Sequence, residues 1–265
     1  MDKSKVEVLI TTVNMLDPRQ VLERMNIQTP AMIGNQTNYN EVSQFQYKGM
    51  NIPIFSFFER GVGLNRNNLL LRSTADFCVF GDDDLEYVDG YEDLICDAFS
   101  LHPDADVIIF NLEEDSGQHY VTKEDFRVNY LNFMRFGAAR VVVRRKSVSM
   151  NAISFNQNFG GGTQYSNGED TIFLCDCLKR GLKIYAVNMT LAKLNEIHTS
   201  TWFEGYTEKY FSDKGILYYT MFRNWTWLIC LQDALRHYRR YNIGNPFCCY
   251  KMMMDGKRKY LAQLK

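Results

Sequence analysis

Through the first two-thirds of the chain, short aliphatic and β-branched blocks alternate with segments whose apolar residues recur at helical spacing. Val6–Val13 is a continuous run that predicts a buried strand. Asp17-Pro18 follows, with Asp placed to cap and Pro suited to a first helical turn, so the segment through Met25 reads as helix. Residues 31–33 and 52–57 read as strands. Asn65 is placed to cap a helix carrying Leu69, Leu70 and Leu71. Residues 77–80 predict a strand ending at Gly81. Tyr91–Leu101 predicts a helix with Leu94, Ile95, Ala98 and Phe99 on one stripe. Residues 107–110, 139–143 and 183–187 predict further strands, and 169–180 a helix closed by Gly181. After about Gly215 the pattern changes to an aromatic and basic helix over 216–241. A break at Gly244-Asn245-Pro246 and a short basic end, 251–265, complete it.

This alternation implies an α/β fold: a mostly parallel sheet flanked by helices, over residues 1–215, with a helical, aromatic and basic extension over 216–265. Ligands of such sheets sit at the carboxyl ends of the strands, which places the chemistry just after Val13, Ile33, Phe80 and Phe110.

Composition sharpens the picture modestly. The 265 residues are 46% hydrophobic, which suits a globular protein with a sizeable core. The net charge of −1 hides an asymmetry: from Lys214 onward there are ten Lys/Arg against two Asp, a balance of +8, leaving −9 for the rest. A basic end on an acidic body points to an anionic partner, or to a solvated basic helix. A strand-like run starts at Val6, so no secretory signal is expected, and no stretch reaches the roughly 18 apolar residues of a spanning helix, since 216–231 is interrupted by Arg223-Asn224. The seven cysteines lack metal-ligand spacing and read as reduced thiols, so the expected location is the cytoplasm.

Three motifs carry candidate chemistry. Asp82-Asp83-Asp84 follows a strand. Adjacent carboxylates repel, and a cation relieves them; alternation in an extended segment would turn Asp82 and Asp84 to one side, toward one Mg2+ or Mn2+ or one bound ligand. The plain alternative is a solvated acidic turn. Gly61-Val62-Gly63-Leu64-Asn65-Arg66-Asn67-Asn68 is a glycine loop before a helix, where Arg66 either meets a diphosphate or braces the loop. It lacks the third glycine of a dinucleotide fingerprint. Gly168-Glu169-Asp170 opens a helix, so Asp170 is either a general base on a rigid element or an ordinary helix-start acid. Upstream, Gly160-Gly161-Gly162 would let a substrate approach the backbone closely, or is a simple loop.

The order of these motifs, with Glu-Asp about ninety residues after the triplet, resembles glycosyltransferase family 2 over roughly residues 6–200. Gly63-Leu64-Asn65-Arg66-Asn67-Asn68-Leu69-Leu70 looks like the family's Gly-Leu-Ser-x-Ala-Arg-Asn-x-Gly-Leu segment. Asp82-Asp83-Asp84 looks like its Asp-x-Asp, and Gly168-Glu169-Asp170-Thr171-Ile172-Phe173 like its Glu-Asp pair before a Phe-containing helix. The resemblance implies a GT-A fold and an inverting enzyme that moves a sugar from a nucleotide-sugar donor, expected to be a UDP-sugar, to a hydroxyl of a glycan or lipid-linked acceptor, in the setting of bacterial surface polysaccharide.

It also implies roles. Thr11 and Val13 line the nucleobase pocket. Asp82, with Asp83, faces the donor, Asp82 at the ribose. Asp84 holds Mn2+ or Mg2+ on the diphosphate, and Asp170 is the base. His198 lies where some relatives place a histidine near the metal, although a lone His is more often a loop or core residue. The segment from His198 to Phe203 looks like a loop closing over the donor. Departures are visible as well. Gly34-Asn35-Gln36-Thr37 stands where many relatives have Asp-Asp-Gly-Ser, so Asn35 and Gln36 would read the base through amides. The Arg-Asn element lacks the usual Ala before Arg, and Gly81 replaces a larger apolar residue.

Other classes are a nucleotidyltransferase, against which Thr11-Thr12-Val13-Asn14-Met15 offers no Gly, Lys or Arg for a triphosphate, and a non-catalytic sugar-nucleotide-binding protein, against which both Asp84 and Asp170 are present. Nucleic acid is not an expected partner. Trp225, Trp227 and the basic residues of the extension fit peripheral contact with the inner face of the cell membrane, packing on the catalytic domain, or a homo-oligomer contact.

Overall fold

The computed structural model describes residues 5–114, 120–195 and 205–263. They divide into two compact units, Met1–Thr163 with Glu169–Thr199, and Gln164–Gly168 with Ser200–Lys265.

The first unit is built on a mixed sheet. Its elements run β1 (Val6–Val13), α1 (Pro18–Arg24), β2 (Ala31–Gln36), β3 (Glu41–Tyr47), β4 (Met50–Phe57), α2 (Val62–Arg72), β5 (Phe77–Asp82), β6 (Leu85–Tyr87) and α3 (Tyr91–Leu101). Then come β7 (Val107–Glu113), β8 (Phe126–Arg127), β9 (Val141–Arg144), α4 (Arg145–Met150), α5 (Glu169–Lys179) and β10 (Ile184–Leu194). The strand order is β3-β4-β2-β1-β5-β9-β7-β10-β6, with β8 against β10. β4, β2, β1, β5, β7 and β10 share one direction, and the other four oppose them.

The apolar pattern explains the layers. β1 is buried along nearly its whole length, as expected of a central strand covered on both faces. Val6, Val8 and Ile10 join Leu22 of α1 and Tyr91, Ile95 and Phe99 of α3 in one core. Phe80 of β5 meets Phe155 and Phe173 of α5, whose stacked rings lie 4.3 Å apart. Asp17 caps α1, its carboxylate accepting from Arg19 N at 2.9 Å, and Pro18 opens the helix.

Three local expectations are corrected. Asn65 does not cap α2: the helix starts at Val62, and Asn65 lies within it, with its Nδ2 donating to the Gly34 carbonyl of β2 at 2.9 Å. Tertiary docking onto the sheet outweighs the local capping preference there. The single helix expected over 216–241 is two helices, α6 (Glu208–Phe222) and α7 (Thr226–Tyr241). A short 3-10 turn at Arg223–Trp225 separates them, with Arg223 at φ 47°. The basic end is itself a helix, α8 (Pro246–Gln263).

The second unit packs these three helices together, and α6 runs unbroken through position 215. Lys214 of α6 reaches Asp233 of α7 at 3.0 Å and sits among the rings of Tyr210, Tyr218 and Tyr241. Tyr241 OH also donates to Asp233 Oδ2 at 3.0 Å. This satisfied polar cluster joins α6 to α7 from within. No helix among the described residues is long and apolar enough to cross a membrane, and all seven cysteines are free thiols.

Candidate active site

The carboxyl ends of β1, β2 and β5 lie side by side. Thr11 of β1 stands opposite Gly34 of β2 and opposite Asp82 of β5, and Val13 stands opposite Gln36. The acidic triplet therefore begins at the strand ends, where a sheet of this kind leaves room for a ligand. Asp82 is the last residue of β5, while Asp83 and Asp84 form the turn into β6. The triplet is thus not extended throughout, and the strand alternation invoked for Asp82 and Asp84 ends at Asp82.

Each acid has a different setting. Asp82 accepts from Thr11 Oγ1 at 2.8 Å and from Arg66 Nη2 at 2.8 and 3.1 Å. Asp83 accepts from Thr12 Oγ1 at 2.6 Å, and its carbonyl takes both Nε and Nη2 of Arg24, at 2.9 and 2.6 Å. Asp84 makes no ion pair among the described residues. Its carbonyl accepts from Asn195 N at 2.9 Å, and its side chain is half-buried. Burial, then the charges of Asp82 and Asp83, push the Asp84 carboxyl up to about 6.

Arg66 is the hub of the site. The residue is 3% exposed, and its Nη1 reaches Glu169 Oε1 at 3.2 Å while Nη2 holds Asp82 at 2.8 Å. Burial opposes the guanidinium charge, but Asp82, Glu169 and Asp170 together raise its pKa. The Gly160–Gly162 run, read as either an approach for substrate or a simple loop, lies against the Glu169 carboxylate. A Cβ on Gly160 would come within 2.7 Å of Glu169 Oε2, and Gly161 O accepts from Val62 N at the start of α2. Burial first, and Asp170 next, raise the Glu169 pKa against the pull of Arg66.

Asp170 follows Glu169 in the first turn of α5 and forms no salt bridge among the described residues. Its Oδ1 accepts from Thr171 N at 2.8 Å, and its Oδ2 lies under Gly137, where a Cβ would stand 3.2 Å away. Burial holds its carboxyl above the ordinary carboxylate range, against Arg66 and the backbone N–H groups of Thr171 and Ala138.

The amides expected to read a base also hold the framework. Asn35 Oδ1 accepts from Met15 N at 2.9 Å, and Gln36 Oε1 accepts from Gly61 N at 2.8 Å; both residues are buried. Gly34 is required beside them, because a Cβ there would stand 1.9 Å from Asn65 Oδ1. Val13 is 48% exposed at the end of β1. His198, and the segment through Phe203, lie outside the described residues. Glu169, Arg24 and Thr12 were given no role by sequence reasoning. Glu169 had a visible signal, its place beside Asp170, whereas nothing in the spacing of Arg24 announces Asp83.

Among the described residues, no three His, Cys, Asp or Glu side chains form a group disposed to hold a metal ion. A Mg2+ or Mn2+ site needs no such cage, since these ions are commonly held by one or two carboxylates together with substrate phosphates. Asp84, an oxygen donor without a cationic partner, fits that pattern.

No protein-family model matches the sequence, and no curated protein sequence matches it. Solved structures do. S. aureus TarS 1–349 in complex with UDP-GlcNAc aligns with a TM-score of 0.64 at 15% identity, over 89% of this chain and 73% of that one. The complex of the same fragment with UDP aligns with a TM-score of 0.59 at 15% identity, over 89% and 72%. Against a longer S. aureus TarS structure the TM-score is 0.60 at 15% identity, and the match covers 88% of this chain but 43% of that one. At this identity the likeness shows the fold, a mixed α/β GT-A-like arrangement.

Proposed function

We propose that this chain is an inverting glycosyltransferase that moves a sugar from a nucleotide-sugar donor, a UDP-sugar, to a hydroxyl of a glycan or lipid-linked acceptor. One observation carries the reading: the buried Arg66 pairs with Asp82 at the carboxyl end of β5 and with Glu169 at the start of α5, which joins the acidic triplet that contains Asp84 to the Glu-Asp pair that contains Asp170. Support for the donor class comes from the shared fold, because the TarS structures that align with it hold UDP and UDP-GlcNAc.

The chain's residues divide the work. Thr11, Val13, Asn35 and Gln36 bound the nucleobase end. Asp82 and Asp83, held by Arg66 and Arg24, face the ribose and diphosphate. Asp84, with His198, holds Mn2+ or Mg2+, which when bound neutralises charge developing on the leaving diphosphate. Asp170 accepts the proton of the acceptor hydroxyl. The acceptor oxygen bonds to the anomeric carbon as the bond from that carbon to the diphosphate oxygen breaks. The electron pair leaves on the diphosphate, and in-line displacement inverts the centre. A raised carboxyl pKa makes Asp170 a better base near neutrality.

The helical unit adds a location. Trp225, Trp227, Leu228, Leu235 and Phe247 are exposed, with Arg236, Arg239 and Arg240 also exposed on α7. Aromatic groups beside arginines suit an anionic lipid surface, so the enzyme would work against the inner face of a membrane, near a lipid-linked acceptor.

A panel of nucleotide sugars with simple glycans and lipid-linked sugars as acceptors, followed by mass spectrometry, tests the activity. Transfer of one sugar with release of a nucleoside diphosphate is expected. Turnover of nucleoside triphosphates instead, or binding of a donor without turnover across the panel, would reject it.

A further inference from the structure

A cavity of about 460 Å3 opens at the amino ends of β1 and β5, the opposite edge of the sheet from the carboxylates. β5 separates it from Asp82 by five residue steps, roughly 17 Å at strand rise. It is therefore not part of the proposed donor site. Its lining is basic: Lys5, Arg144, Arg145 and Lys146 stand around it, against a single acid, Asp76. Glu92, Asp93 and Asp97 of α3 do not line it, and Glu7 lies within electrostatic reach of Arg145 but outside the lining.

The two arginines are already oriented. Arg144 Nε donates to the Ala105 carbonyl at 3.2 Å, and its guanidinium lies over the rings of Phe77 and Phe99, 5.3 and 5.2 Å from their centroids. Those rings are themselves stacked, 4.1 Å apart, and make a rigid floor. Arg145 Nε donates to the Ala75 carbonyl at 2.7 Å. None of the four cations makes an ion pair within 4.0 Å among the described residues, and the terminal nitrogens of both arginines make no hydrogen bond there. Four like charges around one cavity repel each other. A fold that fixes two of them through Nε, with their remaining donors uncommitted, is prepared for a ligand carrying several acceptor oxygens.

We propose that this cavity binds a phosphate ester or diphosphate, independently of the donor. Arg144 and Arg145 supply directed hydrogen bonds, and Lys5 and Lys146 supply mobile charge at the rim. The phosphate belongs either to a soluble small molecule or to a lipid headgroup, and the test separates these sources.

Calorimetric titration of the whole chain with inorganic pyrophosphate, in chelator so that no divalent ion supports diphosphate binding at Asp84, reads the soluble source. Flotation of the Trp225→Ser/Trp227→Ser variant, which sets aside contact through the helical unit, with phosphatidic acid vesicles against phosphatidylcholine vesicles reads the lipid source. Each is repeated with Lys5→Gln/Lys146→Gln, two exposed positions outside the donor site, after thermal melting has shown the variant folded. Binding of either probe that the double substitution weakens by about tenfold supports the site. Absence of binding by both probes at millimolar phosphate, or binding that the substitutions leave unchanged, overturns it. Because the readout needs neither donor nor turnover, its failure is distinct from failure of the transferase reading.

Discussion

At the scale of single residues, the site is a set of carboxylates separated by their partners. Asp82 and Glu169 are held by one guanidinium, whereas Asp84 and Asp170 are not. Losing a partner from a buried pair costs about 3–5 kcal/mol, so Arg66 is framework as much as chemistry. Asp170→Asn keeps the shape and removes the base. It is expected to lower turnover by about 10²–10⁴ while calorimetric donor affinity stays within a few-fold. Abolished donor binding in a folded variant would make Asp170 a donor ligand instead. Asp84 makes a second prediction through pH. Its carboxyl is raised from 3.8 to about 6, so the metal-free native state holds a proton that the unfolded chain has released. The associated stability is present below pH 3.8 and is lost as pH rises through about 6. In chelator, Tm should fall across that window, and Asp84→Asn should flatten the fall. An equal slope in the variant would count against the shifted group.

Elements hold the site through contacts that substitution can probe. α2 and β2 meet through Asn65 and Gly34, and α5 meets the glycine run through Glu169. In the helical unit, α6 and α8 cross with their backbones nearly touching: a Cβ on Gly256 would stand 2.3 Å from Ser212 O, and one on Gly215 1.8 Å from Met253 O. Helix propensity alone favours Gly→Ala by about 1 kcal/mol. Here the added methyl meets backbone, not a flexible side-chain tip, and overpacking of about 1–3 kcal/mol or more wins. Gly256→Ala is therefore expected to destabilise the α6–α8 pair by about 2 kcal/mol, read as faster hydrogen exchange of amides in α6 and α8. Protection equal to or above that of the parent chain would show that the crossing relaxes freely.

For the whole molecule, the division of charge matters most. The acidic first part and the basic end suggest that the helical unit makes the main contact with an anionic surface. Flotation with anionic vesicles should carry the full chain at low salt, and high salt should release it. Trp225→Ser/Trp227→Ser alters two exposed side chains and should sharply weaken flotation with phosphatidylglycerol vesicles while leaving melting unchanged. If that variant floats as well as the parent, the aromatic face serves another contact.

Much was determined by the sequence alone, because the signals were local. The β-branched run of β1, the Asp17-Pro18 start of α1 and the apolar stripe of Tyr91–Leu101 depend on near neighbours, and the structure realises them with the expected bounds or within a residue. Position along the chain also placed the acidic triplet at a strand end. Short or half-exposed strands escaped: β6 has three residues, β8 two, and β3 is mostly exposed, so periodicity had little to register. Only the tertiary structure decided what each carboxylate does. Arg66 finds Asp82 16 residues away and Glu169 103 away, because α2, β5 and α5 converge. No spacing rule encodes that meeting. Charge pairing across such separations is settled when the sheet closes and buries the guanidinium; among the described residues Asp84 and Asp170 form no ion pair.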